Sequence, residues 1–345
     1  MTEPAVEKLR LSSPGDLVEA VPYLLGFHPT DSLVAVALRG PRRRVVFTMR
    51  LDLPATGNRA GDSADFTEIA QGVTAYLVRA RAEQAVLVTY GSAAVPYEGL
   101  PHQELIGATI DALAGERIEV VDALHVGSGR WWSHLCANPA CCPPEGTPLA
   151  ARSSSLVAAT ATFAGMVALP TREALEATLE PVTFLTAEGM RQALARAAAD
   201  IASRCADGTG VHAVQAESLA LITAATESGA VLSDDEVARL IVGLHDIAVR
   251  DECCAWATTD RAGAGRRLWT ALARRSIPPW NSVPLFLVGW FAYLEGDATL
   301  AAIAVDRCLG SDPTYSFGLL LREALRRATD PAVFRGECAP PRRRR

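Results

Sequence analysis

His134, Cys136, Cys141 and Cys142 place four candidate metal ligands within nine residues. Imidazole and thiolate are donors that zinc takes four at a time in a tetrahedron, and a thiolate-rich closed set is structural more often than catalytic. If the strand before them continues, His134 and Cys136 point to the same side. The spacing is not a paired Cys-x-x-Cys, and the adjacency of Cys141 and Cys142 strains a mononuclear site. Two readings therefore stand beside a structural zinc: small apolar thiols filling the edge of a core, or a disulfide.

A second group of residues is polar where apolar ones are expected. Asp122 shares a face with Ile118, Val120, Leu124 and Val126 if its strand alternates without interruption. A buried carboxylate is costly unless hydrogen-bonded, so it demands a partner, for which Ser133, Arg130 and Arg50 are candidates. With Gly127-Ser128 as a two-residue loop, Asp122 would lie opposite Ser133. Arg50 and Asp52 sit on the polar side of a strand whose other side is Val45, Phe47, Met49 and Leu51. Asp31, Arg50, Asp52, Tyr90, Asp122 and Arg130 form the candidate ligand-binding set, because they fall at strand ends or on unexpected faces, where open α/β sheets place ligands. Each also has an ordinary structural reading as a turn residue, a sheet-edge pair or a satisfied aspartate. Ser32, close to His28 and Asp31, lacks the Gly-x-Ser-x-Gly elbow that would expose a nucleophile, and no catalytic residue is assigned.

The elements that must carry these residues follow from periodicity. Ser13-Pro14 opens a helix that Pro22 limits. Leu33 to Leu38 is an apolar run for a strand covered on both faces, and Val45 to Leu51 is its hairpin partner. Helical spacing over Asp65 to Arg81, a short strand Val86 to Tyr90, a helix Gln103 to Ala114 and strands over Ile118 to Val126 and Arg130 to Leu135 complete an α/β or α+β head with a mixed sheet. We delimit four regions: the head over 1–135, a Cys/Pro-rich linker or knuckle over 136–150, an all-helical domain over 151–335, and a disordered basic tail over 336–345. In the helical domain Thr171 caps Arg172 to Leu179, Thr186 caps Ala187 to Cys205, and Ser233 to Glu236 is a capping box before Val237 to Val249. Further helices cover Ala262 to Arg275, Val283 to Glu295, Ala298 to Leu309 and Tyr315 to Ala328. Trp290 to Asp297, with the small residues after it and Asp312-Pro313, outlines one tetratricopeptide-like helical hairpin.

Composition limits the partners. The net charge of −6 gives no general attraction to nucleic acid or to an anionic membrane. Lys8 is the only lysine among 33 basic residues, so a phosphate loop of the Gly-x-x-x-x-Gly-Lys type is excluded and the arginines reflect coding bias. The apolar run Pro284 to Leu294 is too short to span a bilayer, which takes about 20 residues. The start carries no signal peptide, and eight cysteines without an export signal indicate a reducing, cytoplasmic setting.

Several segments in order resemble one family, the domain of unknown function 4192. They are Leu11-Ser12-Ser13-Pro14 with Asp16-Leu17, Val21 to Pro29 with Asp31 to Val34, Arg50 to Pro54, and Val121 to Leu124. Arg130-Trp131-Trp132, Cys141-Cys142-Pro143 with Glu145 to Pro148, Gly296-Asp297 and Asp312-Pro313 continue the pattern. The resemblance implies an actinobacterial cytoplasmic protein and supplies no activity. Two functional readings remain. One is a non-catalytic protein-interaction module that binds another cytoplasmic protein, motivated by the hairpin with Trp290, Phe291 and Tyr293. The other is an enzyme, a hydrolase or small-ligand processor, with a polar pocket in the head.

Overall fold

The computed structural model describes residues 13–53, 62–91, 99–149, 155–182, 187–206, 208 and 210–337. The chain divides into two compact units, Met1–Leu175 with Arg327–Asp330, and Glu176–Arg326 with Pro331–Arg345. The first is an α/β unit around one mixed sheet; the second is helical.

Helix α1 (Pro14–Leu25) starts on a capping box in which Ser13 and Asp16 bond each other's backbone amides. It runs through Pro22, contrary to the sequence expectation, because Leu17, Val18, Val21 and Leu25 all bury on one face and together outweigh the missing amide. Strand β1 (Ser32–Arg39) is buried from Ser32 to Leu38, so both its faces are covered. It pairs antiparallel with β2 (Arg44–Asp52) and with β3 (Gln84–Tyr90). Helix α2 (Asp62–Arg79) precedes β3, and α3 (Gln103–Gly115) links β3 to its parallel neighbour β4 (Glu119–Gly127). Strands β5 (Arg130–Ser133) and β6 (Thr147–Pro148) complete the order β2-β1-β3-β4-β5-β6. One face of the sheet packs Leu33, Ala35, Ala37, Leu87 and Ala123 against Val73 and Leu77 of α2 and Leu105, Ile106 and Leu113 of α3. The alternate residues Val34, Val36, Val88 and Leu124 are as fully buried on the other face, the side of α1.

Two local features shift the expected register. A bulge between Ala85 and Val86 pairs Val120 with Ala85 but Asp122 with Val86. The extra residue, Val121, inverts the alternation, so Ile118 and Val120 join Ala123 on the α2/α3 face and Asp122 does not share theirs. The β4–β5 turn uses Ser128 and Gly129, both at positive φ (50° and 74°), as a two-residue turn with matching twist requires. Gly127 therefore pairs with Arg130, and Ser133 lies opposite Leu124 rather than Asp122.

The segment 136–150, expected as a linker, lies within the first unit, ends in a strand of its sheet, and is followed by α4 (Leu156–Phe163) before the division at Leu175. Helix α5 (Arg172–Ala177) starts on Thr171, whose hydroxyl accepts from the Ala174 amide at 3.2 Å.

The second unit continues with α6 (Ala187–Cys205), α7 (Val211–Ser228), α8 (Asp234–Leu244), α9 (Ile247–Ala255), α10 (Ala262–Arg275), α11 (Ser282–Glu295), α12 (Ala298–Ser311), α13 (Ser316–Arg326) and α14 (Ala332–Glu337). The capping box at Ser233 and Glu236 is present. The helix expected over Val237 to Val249 is broken in two, since Asp246 accepts from the amides of Ala248 and Val249 and starts α9. Helices α11 and α12 form the expected hairpin: Gly296 closes one in the left-handed region, Asp297 caps the other, and Gly289 lies against the Ala301 carbonyl and Ala304. Phe291 and Tyr293 are core residues at 0% and 3% exposure, not a free recognition face. Trp290 is half-buried and donates to the Cys254 carbonyl. The Thr186 cap lies outside the described residues, as does the tail beyond Glu337.

Candidate metal centre

The Cys/Pro segment leaves β5, turns, and returns to the same edge of the sheet as β6. Its exit is fixed by Ser133, whose hydroxyl donates to Asp122 Oδ1 at 2.7 Å and accepts from the amides of Leu135 (3.1 Å) and Cys136 (3.2 Å). The same Asp122 oxygen accepts from the Ala123 amide at 2.9 Å. Asp122 thus has the partner its position demanded, reached diagonally across the shifted register. The turn is built by Asn138, whose carbonyl accepts from the amides of Cys141 (3.2 Å) and Cys142 (2.8 Å) while its side-chain oxygen accepts from Ala140 (3.0 Å).

The return is clasped by aromatic and guanidinium donors. Trp132 Nε1 donates to the Pro144 carbonyl at 3.0 Å, and Arg130 donates to the carbonyls of Glu145 (3.3 Å) and Gly146 (2.7 Å). Gly146 is at φ 77° over the Trp132 indole, where a Cβ would come within 2.4 Å of a ring carbon. Only glycine meets both conditions. The loop is pinned at both ends.

Held this way, the sulfurs of Cys136, Cys141 and Cys142 all lie within 4.8 Å of one another, with Cys136 and Cys141 at 3.1 Å. Tetrahedral zinc with bonds of about 2.3 Å separates its sulfurs by about 3.8 Å, so the three thiols need only small adjustments to fit it. His134 does not join them at that spacing. Its amide donates to the Ala123 carbonyl at 2.7 Å, and its Nε2 is buried without a partner. The thiols share protons. Hydrogen bonding from Cys141, then from the Asn138 backbone and Cys142, holds the Cys136 thiol below its ordinary range, hydrogen bonding to Cys136 lifts Cys141, and burial pushes Cys142 up to about 12. A metal ion would replace those protons.

The six candidate ligand-binding residues do not assemble. Arg50 donates to Ser32 Oγ at 2.7 Å and pairs with Asp52 at 2.6 Å on the edge strand β2, with the Asp52 side chain 80% exposed. Asp31 is an exposed turn residue at φ 42° whose carbonyl accepts from Leu53. Asp122 and Arg130 belong to the knuckle. Tyr90 is buried with its hydroxyl unpartnered, and it alone of the six lines a hollow of ≈ 160 Å³ with Thr30, Gly91 and Val126 to Gly129.

Sequence reasoning passed over His125, which is fully buried on β4. Thr89 Oγ1 donates to the Leu124 carbonyl at 3.3 Å and lies 2.9 Å from His125 Nδ1. That pair is joined by a hydrogen bond whose donor depends on the tautomer, and the buried Nε2 has no partner. Burial, with His134 and His102 adding to it, pushes His125 down to about 4. Burial also lowers His102, opposed by Asp31. The signal was present, since His125 stands inside the apolar run Ala123 to Val126. Trp132, Asn138 and Gly146 have no role legible in the sequence, because only the folded loop reveals them as its supports.

Among the described residues, no helix is long and apolar enough to cross a membrane. Neither the curated proteins nor the solved structures contain a match to this chain. A family model described as Domain of unknown function (DUF4192) matches residues 14–332. With nearly its whole length under that one match, the chain belongs to the DUF4192 family.

Proposed function

We propose that this protein is a non-catalytic binding module whose head is braced by a zinc ion on Cys136, Cys141 and Cys142. The convergence of three sulfurs within 4.8 Å carries the reading. Support comes from the two-ended pinning of the loop, which fixes the donors before any ion arrives. Three thiolates suit a soft or borderline cation, and a closed structural set would take its fourth donor from outside these three cysteines. The ion would supply structural cross-linking. Asp122 and Ser133 act as positioning residues through the Cys136 amide.

The enzyme reading loses its ground in the separate pairing of Arg50 with Asp52, Asp122 with Ser133, and Arg130 with carbonyls, because acid-base work needs groups within hydrogen-bond reach of one substrate. Within the module reading, the ligand is another cytoplasmic protein with a basic surface, favoured by the 17 acidic against 12 basic residues in the first 150. The cytoplasmic setting is supported by the seven described cysteines, none of which is in a disulfide, and an actinobacterial, GC-rich origin by the near absence of lysine.

Elemental analysis of chain purified under reducing conditions tests the metal. Near-stoichiometric zinc, lost in Cys141→Ser, is expected. A metal-free protein that also fails to take up added zinc against a weak chelator would overturn the reading.

A further inference from the structure

The three sulfurs do not stand equally. Cys141 is exposed, and its sulfur is 3.1 Å from that of half-buried Cys136. Cys142 is also half-buried and adjoins Cys141 in sequence, where a disulfide ring is strained. The turn between Cys136 and Cys141 is already closed by Asn138, which accepts from the Cys141 amide at 3.2 Å and from the Ala140 amide at 3.0 Å. A disulfide would need only to bring 3.1 Å down to about 2.05 Å.

We infer that this knuckle is an oxidation switch, in which a peroxide joins Cys141 to Cys136 and so discharges the metal. The exposed Cys141 sulfur attacks one peroxide oxygen. A sulfur–oxygen bond forms, the oxygen–oxygen bond breaks, and the leaving hydroxide takes a proton to become water. Cys136 then attacks the sulfenic sulfur of Cys141. The disulfide forms, the sulfur–oxygen bond breaks, and the second hydroxide leaves with the Cys136 proton as water. Two thiols and one hydrogen peroxide give one disulfide and two waters. The short approach of Cys136 lets resolution outrun further oxidation to sulfinic acid. With two of three thiolates consumed, Cys142 alone cannot retain the ion. The Cys253 and Cys308 thiols of the helical unit are fully buried and lack the exposure of Cys141. Disulfide formation stands on the sulfur geometry alone; the discharge rests on the zinc reading.

The experiment uses the full reduced chain in two samples, one stripped with a chelator and one loaded with zinc alone, each titrated with hydrogen peroxide. Peptide mapping after alkylation should show the loss of two hydrogens within the Cys136–Cys141 peptide, reversal by a dithiol, and Cys142 still alkylated. Cys141→Ser should abolish the bond and Cys142→Ser should keep it. A chromogenic chelator should register one zinc released per disulfide formed. In the stripped sample, thiols that stay alkylatable, or that gain two oxygens without cross-linking, overturn the switch. A disulfide that forms while zinc is retained overturns the discharge alone. A stripped chain that forms the bond yet never loads zinc refutes the metal reading and leaves the disulfide standing.

Discussion

The knuckle and the helical core use the same residue in opposite ways. In the α/β unit Cys136, Cys141 and Cys142 converge near the surface on a loop of prolines and turn residues. In the helical unit Cys253 and Cys308 are fully buried, and burial pushes both thiols up to about 12. There sulfur serves as a small apolar filler; Cys308, for instance, lies where Gly318 lets two helices approach. What separates the two uses is the backbone around the sulfur. Helix α12 buries Cys308 singly among Ile303, Ala304 and Leu309, whereas the Asn138 turn folds the chain so that three sulfurs meet.

The broadest test of that contrast is native-state alkylation of the metal-free chain. Cys141 should react about a thousandfold faster than Cys253 or Cys308, because an opening that costs about 4 kcal/mol is populated roughly one part in a thousand. Comparable rates read by quantitative mass spectrometry would dissolve the distinction. Gly146→Ala should destabilise the first unit by about 3 kcal/mol or more through the clash with Trp132 and the left-handed backbone, visible as a lower denaturation midpoint. It should also weaken metal retention without altering a single ligand.

Cys308→Ser should cost about 1–3 kcal/mol, since a fully buried hydroxyl is stripped of water with the Phe286 backbone as its hydrogen-bond partner. Cys141→Ser in metal-free protein should cost nearly nothing, the site being exposed. An acid titration probes the buried imidazole beside the knuckle. His125 has a folded pKa near 4, below its unfolded value of about 6.5, so the unfolded chain binds the extra proton. Its contribution is intact above about pH 6.5 and is lost as pH falls toward 4, on the order of 1–2 kcal/mol by pH 5. His125→Asn should flatten that slope in denaturant melts. A modest effect is expected of Asp122→Asn, about 1 kcal/mol, because the amide oxygen still accepts from Ser133.

Legibility in the sequence followed how local each signal was. The apolar run of β1, the helix start at Ser13-Pro14, the capping box at Ser233 and the hairpin around Gly296 are local, and they appear as expected. Helix α7 was missed because its buried Val214, Ser218 and Ile222 are set among alanines and polar residues that blur the stripe. Helix α4 was missed next to a break that reads as linker. The face of Asp122 was misread because a bulge at Val121 is set by pairing with β3, a neighbour 35 residues distant, not by its own run. Of the four candidate ligands, the three cysteines lie together and His134 apart, a split the sequence could not give because the end of β5 decides where the His134 ring goes.

One consequence of the clasped loop reaches beyond metal. Strand β5 has four residues and would expose unpaired amides and carbonyls on its outer side. The two residues of β6 cover part of that side, and β6 ends in Pro148, which has no amide to offer a further strand. The strap is therefore also a guard against self-association. A chain whose clasp at Trp132 and Gly146 has sprung open would present a sticky ribbon to its own copies.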